Sequence, residues 1–155
     1  MSAKISISPV PEGQRGVLDA MAKSYFHEVL PHGPAYFPNA LDRYWIEPGC
    51  HPYLIVQDDK PIGFALVWNH PDGTHELTEF TIQATYRHQG IGTQAAEMIF
   101  QALGGDWVLG VAQHPPGAMA FWQKCLENCE GACEIIPQAP RTPNQAGSFS
   151  FRVER

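Results

Sequence analysis

No run of lysines or arginines occurs in these 155 residues. Ten basic side chains stand against sixteen acidic ones, for a net charge of −6 and a pI of about 5.5. Sequence-independent binding to nucleic acid needs a basic footprint, so no nucleic-acid partner is expected. No stretch approaches the ~18 apolar residues of a membrane-spanning helix, so no membrane partner is expected either. The opening residues, Met-Ser-Ala-Lys-Ile-Ser-Ile-Ser-Pro, lack the apolar core of a secretion signal. The expected location is cytoplasmic, where the four cysteines stay reduced. There is neither a Cys-x2-Cys pair nor a closely spaced His pair, so no metal is expected. Cys125, Cys129 and Cys133 lie four apart and could stack on one helix face, but Gly131 is expected to end that helix before Cys133. An acidic surface suits a cationic substrate such as an amine, and it serves solubility equally well.

A chain of this length is normally one domain and buries roughly two-thirds of its unfolded surface. Residues 1–155 are therefore read as one domain, without internal repeats. Strand and helix alternate along it. Ile5 to Ser8 reads as a first strand. Val17-Leu18, Met21-Ala22, Tyr25-Phe26 and Val29-Leu30 recur at helical spacing, until His32-Gly-Pro and the surrounding prolines break the helix. Ala40 to Trp45 reads as a second short helix. Tyr53 to Gln57 and Ile62 to Trp68 form a hairpin over Asp58-Asp59. Glu76 to Ile82 is the next strand, and Gly90 to Leu103 a helix ended by Gly104-Gly105. Trp107 to Val111 is a strand, Gly117 to about Asn128 a helix, and Cys133 to Ile136 and Ser148 to Val153 the last strands. Pro137 to Pro143 is a loop.

The most informative segment is Arg87-His88-Gln89-Gly90-Ile91-Gly92-Thr93, between the Glu76–Ile82 strand and the helix. The first N–H groups of a helix have no intrahelical partner, and the helix dipole adds partial positive charge. Such a turn is suited to phosphate or pyrophosphate. Gly90 and Gly92 lack Cβ, so a phosphate can approach the backbone closely. Two other phosphate motifs fail on spacing: no Lys follows Gly92 as in a P-loop, and a dinucleotide fingerprint needs a third glycine.

Two later features widen the context: Ala118-Met-Ala-Phe-Trp122 in the following helix, and the hairpin from Tyr53 to Val67. Together with Arg87-x-x-Gly90-x-Gly92 they resemble the GNAT acetyltransferase superfamily, whose acetyl-CoA motif reads Gln/Arg-x-x-Gly-x-Gly/Ala. The resemblance covers about residues 5 to 130. It implies an α/β fold: a mixed, mostly antiparallel central sheet flanked by helices, with a splayed strand pair at the acetyl-CoA cleft. It implies acetyl-CoA as acyl donor, an amine acceptor, and a monomer or homodimer. Backbone groups near Phe80, Thr81 and Ile82 then hydrogen-bond the pantetheine arm. The loop residues Arg87, His88, Gln89, Gly90, Ile91, Gly92 and Thr93 take the pyrophosphate, and Trp122 stands beside the coenzyme.

Acetyl transfer to an amine has a protonation problem. With a pKa near ~10, only about one alkylamine in a thousand is nucleophilic at pH 7. A carboxylate can take the proton. Glu76 matches a glutamate that serves as base in some members of the superfamily, and Glu79 lies nearer the loop. Three positions apart, they point to opposite faces of a regular strand, a parity that a bulge common in the family can alter. Two departures from the family stand out. Trp122 occupies the position where a tyrosine often protonates the leaving thiolate, and Pro115 replaces a frequent asparagine. Tyr86, His114 and Cys125 are candidate substitutes, His114 the best placed. Tyr25, Phe26, His27, His32, Tyr36, Phe37, Tyr44 and Trp45 either shape an acceptor pocket or belong to the core. Three functional readings stand: an N-acetyltransferase, a non-catalytic acyl-CoA-binding module of the same fold, and a structural domain with a fortuitous glycine turn.

Overall fold

The computed structural model describes residues 4–34, 36–37 and 39–155. The reading of the first three residues, and of Pro38 among the prolines that stop the first helix, lies outside them. Seven strands are present among the described residues: β1 (Ile5–Pro9), β2 (Cys50–Gln57), β3 (Lys60–Asn69), β4 (His75–Ile82), β5 (Gly105–Ala112), β6 (Ala132–Gln138) and β7 (Gln145–Val153). They form one sheet in the order β1-β2-β3-β4-β5-β7-β6. Every neighbouring pair is antiparallel except β4 and β5, which are parallel. The helices are α1 (Arg15–Val29), α2 (Arg43–Ile46), α3 (Ile91–Leu103) and α4 (Ala118–Asn128). This is the mixed, mostly antiparallel sheet with flanking helices that the resemblance implies.

Local chemistry explains the elements. Asp58 and Asp59 both have positive φ, 49° and 68°, as a two-residue hairpin turn of the favoured twist requires, and Asp tolerates that region. The run Ile62–Val67 in β3 is buried throughout, which suits a central strand covered on both faces. Phe64 and Leu66 pack with Leu18, Met21 and Ala22 of α1 and Tyr44 of α2. Ala65 and Val67 look the other way, toward Ala96, Ile99 and Phe100 of α3 and Trp122 and Leu126 of α4. The sheet is thus sandwiched between an α1/α2 layer and an α3/α4 layer.

The structure departs from the sequence reading at several element ends, β2 and β7 among them, which begin at Cys50 and Gln145. The second helix is only Arg43–Ile46, because tight bonds such as Asp42 N–H to Asn39 O at 3.2 Å make residues 39–42 turns instead. β6 continues through Pro137, which pairs with Phe149; an edge strand tolerates a proline's missing N–H. As expected from Gly131, the helix stops before Cys133: α4 ends at Asn128, Cys129 caps it, Gly131 turns the chain at φ 83°, and Cys133 lies in β6.

Candidate active site

β4 and β5 pair only through His75↔Trp107, Glu76↔Val108 and Leu77↔Leu109. Beyond Leu77 the two strands part, and a cleft of about 710 Å³ opens between them, within the size range of small-molecule sites. Its walls come from β4, the start of α3, the loop after β5, the inner face of α4, and α1.

The start of α3 supplies one end. A 3-10 turn at Ala84–Tyr86 leads into the loop. Gly90 then takes the N-cap position at φ 80°, with no side-chain cap. The first bond of this helix is Gln94 N–H to Gly90 O at 3.2 Å, so the N–H groups of Ile91, Gly92 and Thr93 have no intrahelical partner. Gly90, Gly92 and Thr93 line the cleft, so the positive end of α3 points into it. The two glycines differ in purpose. A Cβ at Gly90 would meet nothing within 4 Å, and the positive φ is what favours glycine there. A Cβ at Gly92 would lie 3.2 Å from Phe121 Cζ and 3.7 Å from Ile82 Cγ1. Gly92 therefore also makes room for a ring of α4.

Among the other loop residues, His88 lines the cleft at φ 64°, Gln89 bonds Thr85 O at 3.4 Å, and Ile91 is core. Arg87 is committed within the protein. Its Nε donates to Ile82 O at 2.6 Å, and Nη1 and Nη2 donate to the two Glu28 oxygens at 2.7 Å each. This bidentate pair, a strong geometry, ties the end of α1 to the loop and neutralises the guanidinium. Glu28 also lines the cleft. It was not singled out from the sequence, although Tyr25, Glu28 and Val29 share one helix face by spacing and all three reach the site.

The carboxylates are arranged by a bulge. Leu66 pairs with Glu79 and Val67 with Leu77, so Thr78 is an extra residue in β4. Glu76 is opposite Trp68 and Glu79 opposite Leu66. Those partners are two apart on β3, so both glutamates lie on the α1/α2 face, where a regular strand would separate them. Thr78 Oγ1 donates to Leu66 O at 3.0 Å and lies 2.6 Å from the Tyr44 hydroxyl of α2. Of the two, Glu79 lines the cleft. Burial, and then the Glu76 charge, push its carboxyl up to about 7, although the Tyr25 hydroxyl opposes the rise. Glu76 is held elsewhere, 2.8 Å from His70 Nε2 and 3.7 Å from Arg141 Nη2.

On α4, Trp122 is buried, edge-on to Phe80 at 5.3 Å and to Phe121 at 5.0 Å, with one side toward the cleft. His114 is exposed on the rim, and Cys125 is buried at the cleft wall. Burial pushes the Cys125 thiol up to about 12, so it is no thiolate at neutral pH. Among the described residues no cluster of His, Cys, Asp and Glu could hold a metal ion, and no helix is long and apolar enough to cross a membrane. The aromatic set divides. Tyr25 reaches the cleft, Tyr44 and Trp45 belong to the α1/α2 core, Phe26 stacks on Tyr36 at 5.6 Å, and His27, His32 and Phe37 are exposed.

The chain matches the profile of the Acetyltransferase (GNAT) family over residues 16–126. It is a member of the GNAT acetyltransferase family. Solved structures of the same fold include an acetyltransferase from Thermus thermophilus, with a TM-score of 0.76 at 17% identity over 97% of each chain. The PaiA N-acetyltransferase of Thermoplasma acidophilum, in complex with coenzyme A, gives 0.63 at 14% identity over 97% of this chain and 99% of that one. A GNAT family acetyltransferase from Elizabethkingia anophelis with acetyl-CoA bound gives 0.59 at 17%, covering 96% and 95%. At these identities the likeness shows the GNAT fold and no more. No curated protein sequence matches the chain.

Proposed function

We propose that this GNAT protein is an acetyl-CoA-dependent N-acetyltransferase that places an acetyl group on a primary amine by direct attack in a ternary complex. The observation that carries the reading is Glu79. It is a carboxyl at about 7, in the wall of a cleft that ends at an uncapped helix N-terminus. A base is most effective with its pKa near the working pH, and perturbed groups in clefts mark functional sites. Glu79 takes the ammonium proton of the acceptor. Glu76, held by His70 and Arg141, contributes charge rather than a free base.

The acetyl-CoA found in relatives of this fold suits the cleft. Its pyrophosphate meets the N–H groups at Gly90–Thr93, with Arg87 and Gln89 bracing the loop and His88 beside it. Its pantetheine runs along the side of Phe80, Thr81 and Ile82 that β5 leaves without a strand partner, and Trp122 walls the other side. A neighbouring N–H of β4 polarises the thioester carbonyl. Direct attack is favoured over an acyl-enzyme because the one cysteine in the cleft wall among the described residues is held as a thiol. His114, on the rim, stands as one candidate to return a proton to sulfur. The test is thiol release from acetyl-CoA across a panel of amines, alongside calorimetry. Binding with turnover is expected. Binding without turnover of any amine would favour the acyl-CoA-binding module, and absence of binding would sink both readings.

A further inference from the structure

The core demands a bulge in β4, but it does not say where the bulge falls. Leu77 and Phe80 both pack into the α3/α4 layer. In a regular strand residues three apart face opposite ways, so one extra residue must lie between them. Thr78 and Glu79 both stand in that interval, and the core is indifferent to which is the extra one. In the structure Glu79 keeps the ladder position opposite Leu66, and Thr78 is the residue left out of the pairing. Had Glu79 been left out instead, the bulge would set its direction and the ladder would not.

Two hydrogen bonds make the choice. Thr78 Oγ1 has one proton, and it goes to Leu66 O at 3.0 Å. The Tyr44 hydroxyl, 2.6 Å away, is therefore the donor to Thr78 Oγ1. Burial holds that hydroxyl up at about 12, so it carries its proton at neutral pH. Tyr44 is itself fixed. It lies in the core with Leu41, Leu54 and Leu66. Its neighbours pin α2 on both sides: Trp45 Nε1 donates to Val10 O at 2.8 Å, and the Arg43 guanidinium lies over Trp68 at 4.8 Å. The hydroxyl is thus a fixed point outside the sheet, against which β4 is set.

We propose that Tyr44 and Thr78 are positioning residues for the reaction: their hydrogen bonds fix the bulge at Thr78 and so hold the Glu79 carboxyl in the cleft, aimed at the acceptor amine. This rests on Glu79 being the base. The pair acts through Glu79 and moves no proton of its own. Because the core still demands one extra residue, loss of the pair should leave the fold standing and let the bulge wander between Thr78 and Glu79.

The test compares wild type with Thr78→Ser, Thr78→Val and the double variant Thr78→Val/Tyr44→Phe, each with and without Glu79→Gln. The double variant removes both polar partners, so no buried hydroxyl is left unpaired. Rates use acetyl-CoA with the fastest amine of the panel. Cross-strand proton contacts between β3 and residues 77–80 report the bulge by NMR without any acceptor. Thr78→Val and the double variant should lose on the order of 10- to 10²-fold in kcat, keep the KM for acetyl-CoA, and show an altered or exchange-broadened contact pattern. Thr78→Ser retains the hydroxyl and should stay near wild type in all three. In the Glu79→Gln background the same changes should cost nothing further, because residues that act as a unit are not additive. Wild-type kcat in the folded double variant, or a loss of kcat with an unmoved contact pattern, would overturn the proposal and leave the base assignment standing. So would a loss that persists undiminished beside Glu79→Gln, or one that merely follows melting temperature with no rescue by serine. Full activity in Glu79→Gln would remove the base assignment, and the purpose of the pair with it.

Discussion

Glu79→Gln should slow the enzyme and stabilise the fold, and the gain in stability should depend on pH. The folded carboxyl titrates at about 7 against an ordinary value of 4.5. A group whose folded pKa is raised contributes stability that is fully present below the unfolded value and is lost as pH rises through the folded one. Wild type should therefore lose stability between about pH 4.5 and pH 8, as burial of the charged form becomes the cost. Glutamine does not titrate. At about 1.4 kcal/mol per pH unit, the ceiling on the difference is ~3 kcal/mol. Glu79 keeps part of its surface in the cleft, where water screens the charge, so about 1–2 kcal/mol is expected. For a chain of this size that is roughly 2–8 °C in melting temperature. Melting curves for both proteins at about pH 4.5, 6 and 8 check it. The offset should be small at the acid end and full at pH 8, while kcat falls by on the order of 10²-fold at neutral pH. An offset that is the same at every pH, or a variant less stable at pH 8, would refute the reasoning. The expected pattern is that of a site kept strained for use.

Gly90→Val forces a β-branched residue into φ 80° and should remove acetyl-CoA binding by calorimetry; a folded variant with wild-type affinity would disprove the phosphate site. Gly92→Ala should be milder, since the atom it meets is the rim of the Phe121 ring, which can shift. Glu28→Gln leaves Arg87 anchored to Ile82 O but unneutralised beside the loop. Acetyl-CoA should bind a few-fold tighter at low salt, an effect that fades as the Debye length shortens. Weaker binding would show that Glu28 is needed to hold the loop. Trp122→Ala should cost about 3–5 kcal/mol by chemical denaturation, whereas Trp122→Phe should cost little in kcat. A folded Trp122→Phe that binds acetyl-CoA yet loses most turnover would assign the indole N–H a role it lacks in this mechanism.

The elements were legible because they rest on local signals. The Asp58-Asp59 turn and the glycines at 90, 104 and 105 are read from residue type, and their positive φ values are the physical reason. The site is less local. Arg87 lies 59 residues from Glu28, and no spacing rule announces that its guanidinium is already spoken for. The bulge at Thr78 is a backbone event anchored by Tyr44 from another helix. It reverses the face on which one glutamate sits relative to the other, which side-chain periodicity alone assigns wrongly. Tyr25 and Glu79 reach the same cleft from α1 and β4, a meeting no spacing announces, so Tyr25 read only as one aromatic among several.

The three residue pairs that join β4 to β5 make the sheet two half-sheets held by a short seam. Past the seam, the backbone amides of β4 that face the gap have no strand partner, and such groups exchange their hydrogens with solvent readily. A coenzyme lying there completes their hydrogen bonds. Deuterium uptake in residues 78–82 and in the loop 87–93 should slow sharply when acetyl-CoA is added, while the interiors of β3 and β7, paired on both sides, should not change. Exchange rates along a single strand would then map where the ligand runs, residue by residue, before any acceptor amine is known.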